Sequence, residues 1–189
     1  MARARKTSNE EVILAAQALF WQHGYGAVGT RQIEAETGLT RFTLQTVYKG
    51  KMALYLKVLD NYLDMLETQF LQTDTQGLPA LKDWIRRRSD PTRMPGVARF
   101  GCLMMNAVIE FHGDEPEVSI RAKRYFQMVT SFLCGHLVGR VSQPEAKAEL
   151  LAAATLGLNA VIRASGDMAA GQGLSASIVA TIEEWEAAQ

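Results

Sequence analysis

The chain has 189 residues, 48% of them apolar and 21% charged, the composition of a folded protein and not of a disordered one. That length holds one ordinary domain, or a domain of about 50 residues leaning on a larger one. No run of about 18 apolar residues occurs, and the N-terminus lacks the basic, apolar, small-residue order of a secretory signal, so neither a membrane span nor export is expected and a cytoplasmic location is. Cys102 and Cys134 lack the paired spacing of a zinc site or disulfide framework, which predicts free thiols and no metal. The net charge is zero but uneven: residues 1–60 carry eight Lys/Arg against five Asp/Glu, leaving twelve against fifteen in the remainder. Positive charge therefore collects toward the N-terminus.

Ser8 and Glu11 have the spacing of a capping box, and Val12, Ile13, Ala16, Leu19 and Phe20 recur at helical intervals up to Gly24, predicting a helix over 9–23 with His23 in its last turn. A short helix follows over 30–36, with Gly29 as its cap and Thr37-Gly38-Leu39 as its end. Thr40 caps a third helix to Val47, and Lys49-Gly50 separates it from a long amphipathic helix over 51–70. Proline and glycine then punctuate helices expected to run from Leu78 to Arg88, Arg99 to His112, Pro116 to Val141, Pro144 to Ser165 and Leu174 to Glu186. Strand-length alternation is missing, so the chain reads as all-α. The division expected is a helix-turn-helix domain over 1–50 and a helical core over 51–189.

Short helix, glycine turn, short helix is the pattern that carries chemistry. Gly38 tolerates the positive φ of the turn, and Ile33, Leu39 and Leu44 are apolar positions that lock the pair together. Arg41, Thr43, Gln45 and Thr46 surround the outward side of the third helix, with guanidinium, hydroxyl and amide groups able to meet base edges or phosphates in a major groove about 12 Å wide.

Phe20-x-x-x-Gly24-Tyr25, Thr30-Arg31-x-Ile33, Thr37-Gly38-Leu39-Thr40, Thr43-Leu44 and Tyr48-x-x-Lys51-x-x-Leu54 together resemble the DNA-binding domain of the tetracycline-repressor (TetR) family over residues 9–60. The resemblance implies that Thr40, Arg41, Thr43 and Gln45 face DNA together with Phe42, Thr46 and Tyr48. Thr30 and Arg31 would approach phosphates, and Lys51 would grip one beside the N-terminal dipole of the fourth helix. Gln45 and Val47 stand where the family usually has aromatic or His residues, Phe42 replaces a small residue, and Glu34 stands where a small one is frequent. Phe42 instead offers contact to a thymine methyl or a sugar. Gly101-Cys102-Leu103, Asn106 and Glu110 are similar to one subgroup of the family.

The function so implied is a repressor released from operator DNA when a small molecule enters the C-terminal core, shifts the fourth helix and changes the separation of two recognition helices. No cofactor and no enzymatic activity are expected; the alternative is an all-helical carrier or enzyme that does not bind DNA, or a regulator with no ligand. Trp84, Phe100, Met104, Met105, Phe111, Phe126 and Met128 are either core or the lining of an effector cavity, with Cys102 alongside and Asn106, Glu110 or His112 as polar groups. Cys102 is read either as a buried thiol or as a redox or electrophile sensor. Arg86, Arg87 and Arg88 read as a solvated helix end, with a second nucleic-acid patch as the alternative, and Arg3, Arg5 and Lys6 as a basic arm. A homodimer is expected through the helices around 117–140 and 145–165, whose Ala152, Ala153, Ala154, Gly157 and Ala160 permit close approach.

Overall fold

The computed structural model describes residues 8–71 and 76–188; Arg3, Arg5 and Lys6 lie outside them. The Ser8 capping box forms, with the Glu11 amide donating to Ser8 Oγ at 3.1 Å and the Ser8 amide to Glu11 Oε2 at 2.7 Å, and opens α1 (Asn9–His23). Gln32 reaches back to the Gly29 amide at 2.9 Å and starts α2 (Thr30–Thr37), which Gly38 ends at φ 70°. Thr40 caps α3 (Arg41–Thr46) by accepting from the Thr43 amide at 3.1 Å. The remaining helices are α4 (Lys51–Leu71), α5 (Leu78–Arg87), α6 (Leu103–Phe111), α7 (Pro116–Leu137), α8 (Pro144–Ser165) and α9 (Gln172–Ala187), with 3-10 turns at Gly96–Phe100 and Met168–Gly171. The all-α expectation is borne out, with no strand among the described residues.

Ile33 and Leu44 are fully buried, so α2 and α3 are locked by the apolar positions that the sequence pattern marks. Helix α4 joins this unit to the rest. Its Tyr55 ring packs edge-on to Phe20 of α1 at 4.9 Å between centroids, and its Asn61 amide donates to Gln17 at 2.8 Å. On its other side, Arg121 of α7 grips Asp60 with both Nε and Nη2 at 2.8 Å. Helices α7 and α8 form the centre of the larger half. Helix α9 covers α5, with Ser175 Oγ donating to the Ile85 carbonyl at 3.2 Å and Lys82 to Glu186 at 2.9 Å. One buried apolar cluster runs from Val12 in α1 to Ile182 in α9, so the core does not break at residue 50.

The helix expected from Arg99 to His112 is instead a 3-10 turn, an extended Cys102 and the shorter α6. Gly101 at φ 75° is the break: a Cβ there would lie 2.9 Å from the Asn159 carbonyl oxygen, so α8 passes too close for any other residue. Helix α7 ends at Leu137, short of the expected Val141, because Gly139 turns at φ 71°. Helix α9 starts two residues early. Leu44→Ala is expected to cost about 2–5 kcal/mol, as deletion of a fully buried leucine does, read as a lower urea midpoint at unchanged slope.

Candidate nucleic-acid interface and effector core

Arg41, Gln45 and Thr46 are exposed around α3, and Phe42 at 76% and Val47 at 63% exposure are large apolar side chains left in solvent on the same short helix. Arg31, Arg41 and Gln45 have no side-chain partner among the described residues. The hydroxyls are occupied differently. Thr40 and Thr43 share a bond of 2.9 Å across the first turn of α3, and Thr46 donates to the Phe42 carbonyl at 2.8 Å, so these three shape the helix with the groups that would otherwise face outward. Thr30 is half-buried in the first turn of α2 beside exposed Arg31.

Tyr48 is not brought to this face. Its ring is buried, burial raises its pKa, and its hydroxyl donates to Asn9 Oδ1 at 2.8 Å, which ties the end of α3 to the start of α1. Lys51 sits half-buried with Nζ 4.0 Å from the centroid of the Tyr25 ring. Desolvation lowers its pKa, against the opposing pull of Glu110.

Glu110 of α6 is the side chain whose role the sequence pattern does not reveal. Its carboxylate accepts from the backbone amides of Tyr25, at 2.8 Å, and Gly26, and so holds the loop that leads into α2. Around it Tyr25, Tyr55 and Phe111 form an aromatic cluster with centroids 5.0 to 5.9 Å apart. Burial, with the charges of Glu115 and Glu110 adding to it, raises the Tyr25 pKa. A second seam lies beside it: Trp21 Nε1 donates to the Gly101 carbonyl at 2.9 Å, and Arg163 of α8 donates to the carbonyls of Trp21 at 3.3 Å and Phe100 at 2.8 Å. The N-terminal half is thus held to the core by hydrogen bonds from α6 and α8 as well as by α4.

Of the candidate effector residues, Cys102, Met105 and Asn106 come together with Ile109, Leu156, Asn159, Ala160 and Arg163 around a hollow of about 420 Å³ between α6 and α8. The others lie elsewhere. Phe111 belongs to the Tyr25 cluster, Trp84 stacks in a group with Phe70 and Phe132, Phe126 packs against Tyr125, and Phe100 contributes its carbonyl to Asn106 at 3.0 Å and to Arg163. Met104 is fully buried, and Met128 borders a separate hollow with Phe70 and His136. His112 is the left-handed C-cap of α6 at φ 51°.

Cys102 is 2% exposed, so the buried-thiol alternative is the one found. Tyr62 donates to its Sγ at 3.4 Å and the thiol donates to Tyr125 at 3.3 Å. Burial, reinforced by Cys102, pushes both tyrosines well above the ordinary value of 10.0. The three arginines after Ile85 diverge. Arg86 and Arg87 pair at the surface with Glu183 and Asp83, as a solvated helix end would. Arg88 departs from that expectation by turning inward, with its guanidinium carbon 4.5 Å from the Trp84 ring centroid and Nη2 3.3 Å from Asn159 Oδ1.

A helix-turn-helix unit docked on a helical core defines the class: an all-helical protein with a helix-turn-helix at its N-terminus. Residues 12–58 match the family described as bacterial regulatory proteins, tetR family. It is 28% identical over 127 residues to the HTH-type transcriptional repressor ComR of Escherichia coli K12, covering 63% of this chain and 60% of that one. It is 27% identical over 124 residues to the HTH-type transcriptional regulator RutR of the same strain, covering 64% and 58%. The chain thus spans about three fifths of the length of these curated relatives. Its fold superposes on the crystal structure of a TetR-family transcriptional regulator from Cytophaga hutchinsonii with a TM-score of 0.75 at 17% identity, covering 96% of this chain and 98% of that one.

Glu110→Ala is expected to release the Tyr25 and Gly26 amides, which will exchange with solvent at least ~10-fold faster, and to cost about 1–3 kcal/mol, as loss of a charged acceptor for two amides does.

Proposed function

We propose that the chain is a DNA-binding transcriptional regulator, a repressor that a small molecule releases from its operator, acting in the cytoplasm and not as an enzyme. The observation that carries the reading is the α3 face. Arg41 and Gln45 stand unpartnered beside exposed Phe42, which is costly to leave in water and suits a thymine methyl. Thr40, Thr43 and Thr46 border that face. Arg31 and Thr30 at the start of α2 and Lys51 at the start of α4 supply phosphate contacts, while Tyr48 holds α3 in place from beneath. Residues 1–50 form the reading unit in this account, and residues 51–189 sense and dimerise.

One six-residue helix reads too few base pairs, so two copies bind half-sites related by a two-fold axis. Of the two helices expected at that interface, α8 presents an exposed stripe of Ala146, Leu150, Ala153, Gly157, Ala160 and Val161, which suits close packing of a second copy. The outward residues of α7 include Arg124, which is engaged with Asp64 and Glu67 of α4 at 2.9 and 2.6 Å. Release follows from the seams: an effector that moves α6 or α8 acts on the Glu110 and Arg163 hydrogen bonds and, through them, on α1 and the loop before α2.

Fluorescence anisotropy with DNA flanking the protein's own gene, at two salt concentrations, tests the reading. Selective binding is expected, weakened by about 5–150-fold in Arg41→Ala if Arg41 pairs with a base, whereas Lys51→Ala would flatten the salt dependence by roughly one phosphate contact. Equal affinity of wild type and Arg41→Ala for every flanking sequence would sink it.

A further inference from the structure

The hollow that Met128 borders, of about 420 Å³, lies between the last turns of α4 and the C-terminal half of α7, and no residue of α8 lines it. Met128, Ser131, Phe132 and Gly135 recur along α7 at three- and four-residue spacing, so one face of that helix forms its wall. Phe70 of α4 completes the wall, its ring stacked on Phe132 at 4.2 Å between centroids and 17° between planes. Gly135 stands inside α7 without a positive φ, and a Cβ on it would meet nothing within 4 Å. Glycine inside a helix is destabilising relative to alanine, and neither backbone conformation nor crowding demands it here. What it supplies is open volume. His136 lines the same hollow and is 4% exposed. The Gly77 amide donates to its Nδ1 at 3.1 Å, while the Gly77 carbonyl already accepts from the Leu81 amide at 3.1 Å, so the ring proton sits on Nε2. Burial lowers the His136 pKa, which keeps the ring neutral at pH 7. Nε2 has no partner among the described residues and is not sealed within the core, and the opening that His136 borders is this hollow. A buried histidine therefore offers it one unmet N–H.

The lining also selects against charge. No Lys or Arg borders the hollow, and its one acidic group, Glu67, is engaged by Arg124 at 2.6 Å, so a carboxylate would enter beside an anion with no counter-charge of its own. A plain hydrocarbon would fill the walls and leave the His136 N–H unmet. We propose that this hollow receives a neutral, planar aromatic molecule bearing a hydrogen-bond acceptor, a ring nitrogen or a carbonyl, with its ring against Phe70, Phe132 and Met128 and its acceptor on His136 Nε2. Phenylalanine rings and a thioether suit a flat ring, and the volume is in the range of small-molecule sites. The inference rests on the effector-released reading above and names the chemical class of the effector. It also gives the signal a route: a molecule lodged between α4 and α7 acts on the ion pairs of Arg124 with Asp64 and Glu67, and so on α4, the helix that starts beside α3.

Thermal unfolding of the full chain with quinoline and coumarin, with naphthalene as the hydrocarbon of matching shape and with 2-naphthoate as the anion, tests the proposal. Quinoline or coumarin is expected to raise Tm by roughly 5 °C at a hundredfold excess over its Kd, with a smaller rise from naphthalene at the same concentration and none from 2-naphthoate. Gly135→Leu fills the hollow with a better helix former, and is expected to unfold no lower than the wild type and to abolish the rise. Ser131→Leu, at an exposed position on the same face, should diminish it. No rise from quinoline or coumarin, an equal rise from naphthalene or 2-naphthoate, or an undiminished rise in both variants would each overturn the proposal. The same compounds are then added to the operator complex. Binding to the protein without release of DNA would uphold the aromatic site and defeat the effector-released reading, whereas selective operator binding with neither quinoline nor coumarin bound would uphold the regulator and defeat the aromatic site.

Discussion

The seam between the N-terminal unit and the helical core governs the rest of the structure, and its hub is Trp21. The indole is buried and gives its N–H to Gly101, its ring meets Tyr62 edge-on at 5.2 Å, and its carbonyl accepts from Arg163. These contacts fix where α1 lies on α4, α6 and α8, and therefore where α2 and α3 point. Three short helices alone bury little apolar surface. Docked on the core, they share one apolar cluster with it.

The polar groups at that seam are few, and each has a distinct job. Glu110 holds the loop before α2 by its backbone amides, a link that depends on backbone geometry and on the glycines that let the carboxylate approach, since a Cβ at Gly26 would lie 3.0 Å from Glu110 Oε1. Arg121 and Arg124 bind the other side of α4 to α7 through carboxylates. Helix α4 is thus clamped on both sides: apolar and amide contacts toward α1, ion pairs toward α7.

Some residues contribute by what they leave unmade. Arg88 faces inward over Trp84 without a carboxylate, and Asn159 holds only one side of its amide in a bond. The tyrosines around Cys102 are closed by contrast: Tyr62, the thiol and Tyr125 form a short chain whose hydroxyls burial keeps protonated. Closed and open polar groups therefore lie within one core.

The N-terminal half was the more legible in sequence because its determinants are local. The Ser8 and Glu11 box, the positive φ of Gly38, the Thr40 cap and the apolar spacing of Ile33 and Leu44 each act within a few residues, so the pattern alone placed α1, α2 and α3 and turned Arg41, Phe42 and Gln45 outward. Proline and glycine likewise marked most boundaries of the later helices. The buried position of Tyr48 is not legible in sequence because its partner, Asn9, is 39 residues away, nor is the break in the Arg99–His112 helix, because Gly101 answers to a carbonyl of α8. The effector core was least legible. Aromatic and Met residues look the same whether they fill a core or line a cavity, and Asn159 and Arg163 on an alanine-rich helix give no sign of their orientation. The sequence by itself determined the helices, their caps and the outward chemistry of α3, since those follow from neighbours in the chain. Only the tertiary structure decided that Glu110 holds the loop before α2, that Arg88 turns inward and where the hollow opens, since each depends on groups brought together from distant helices.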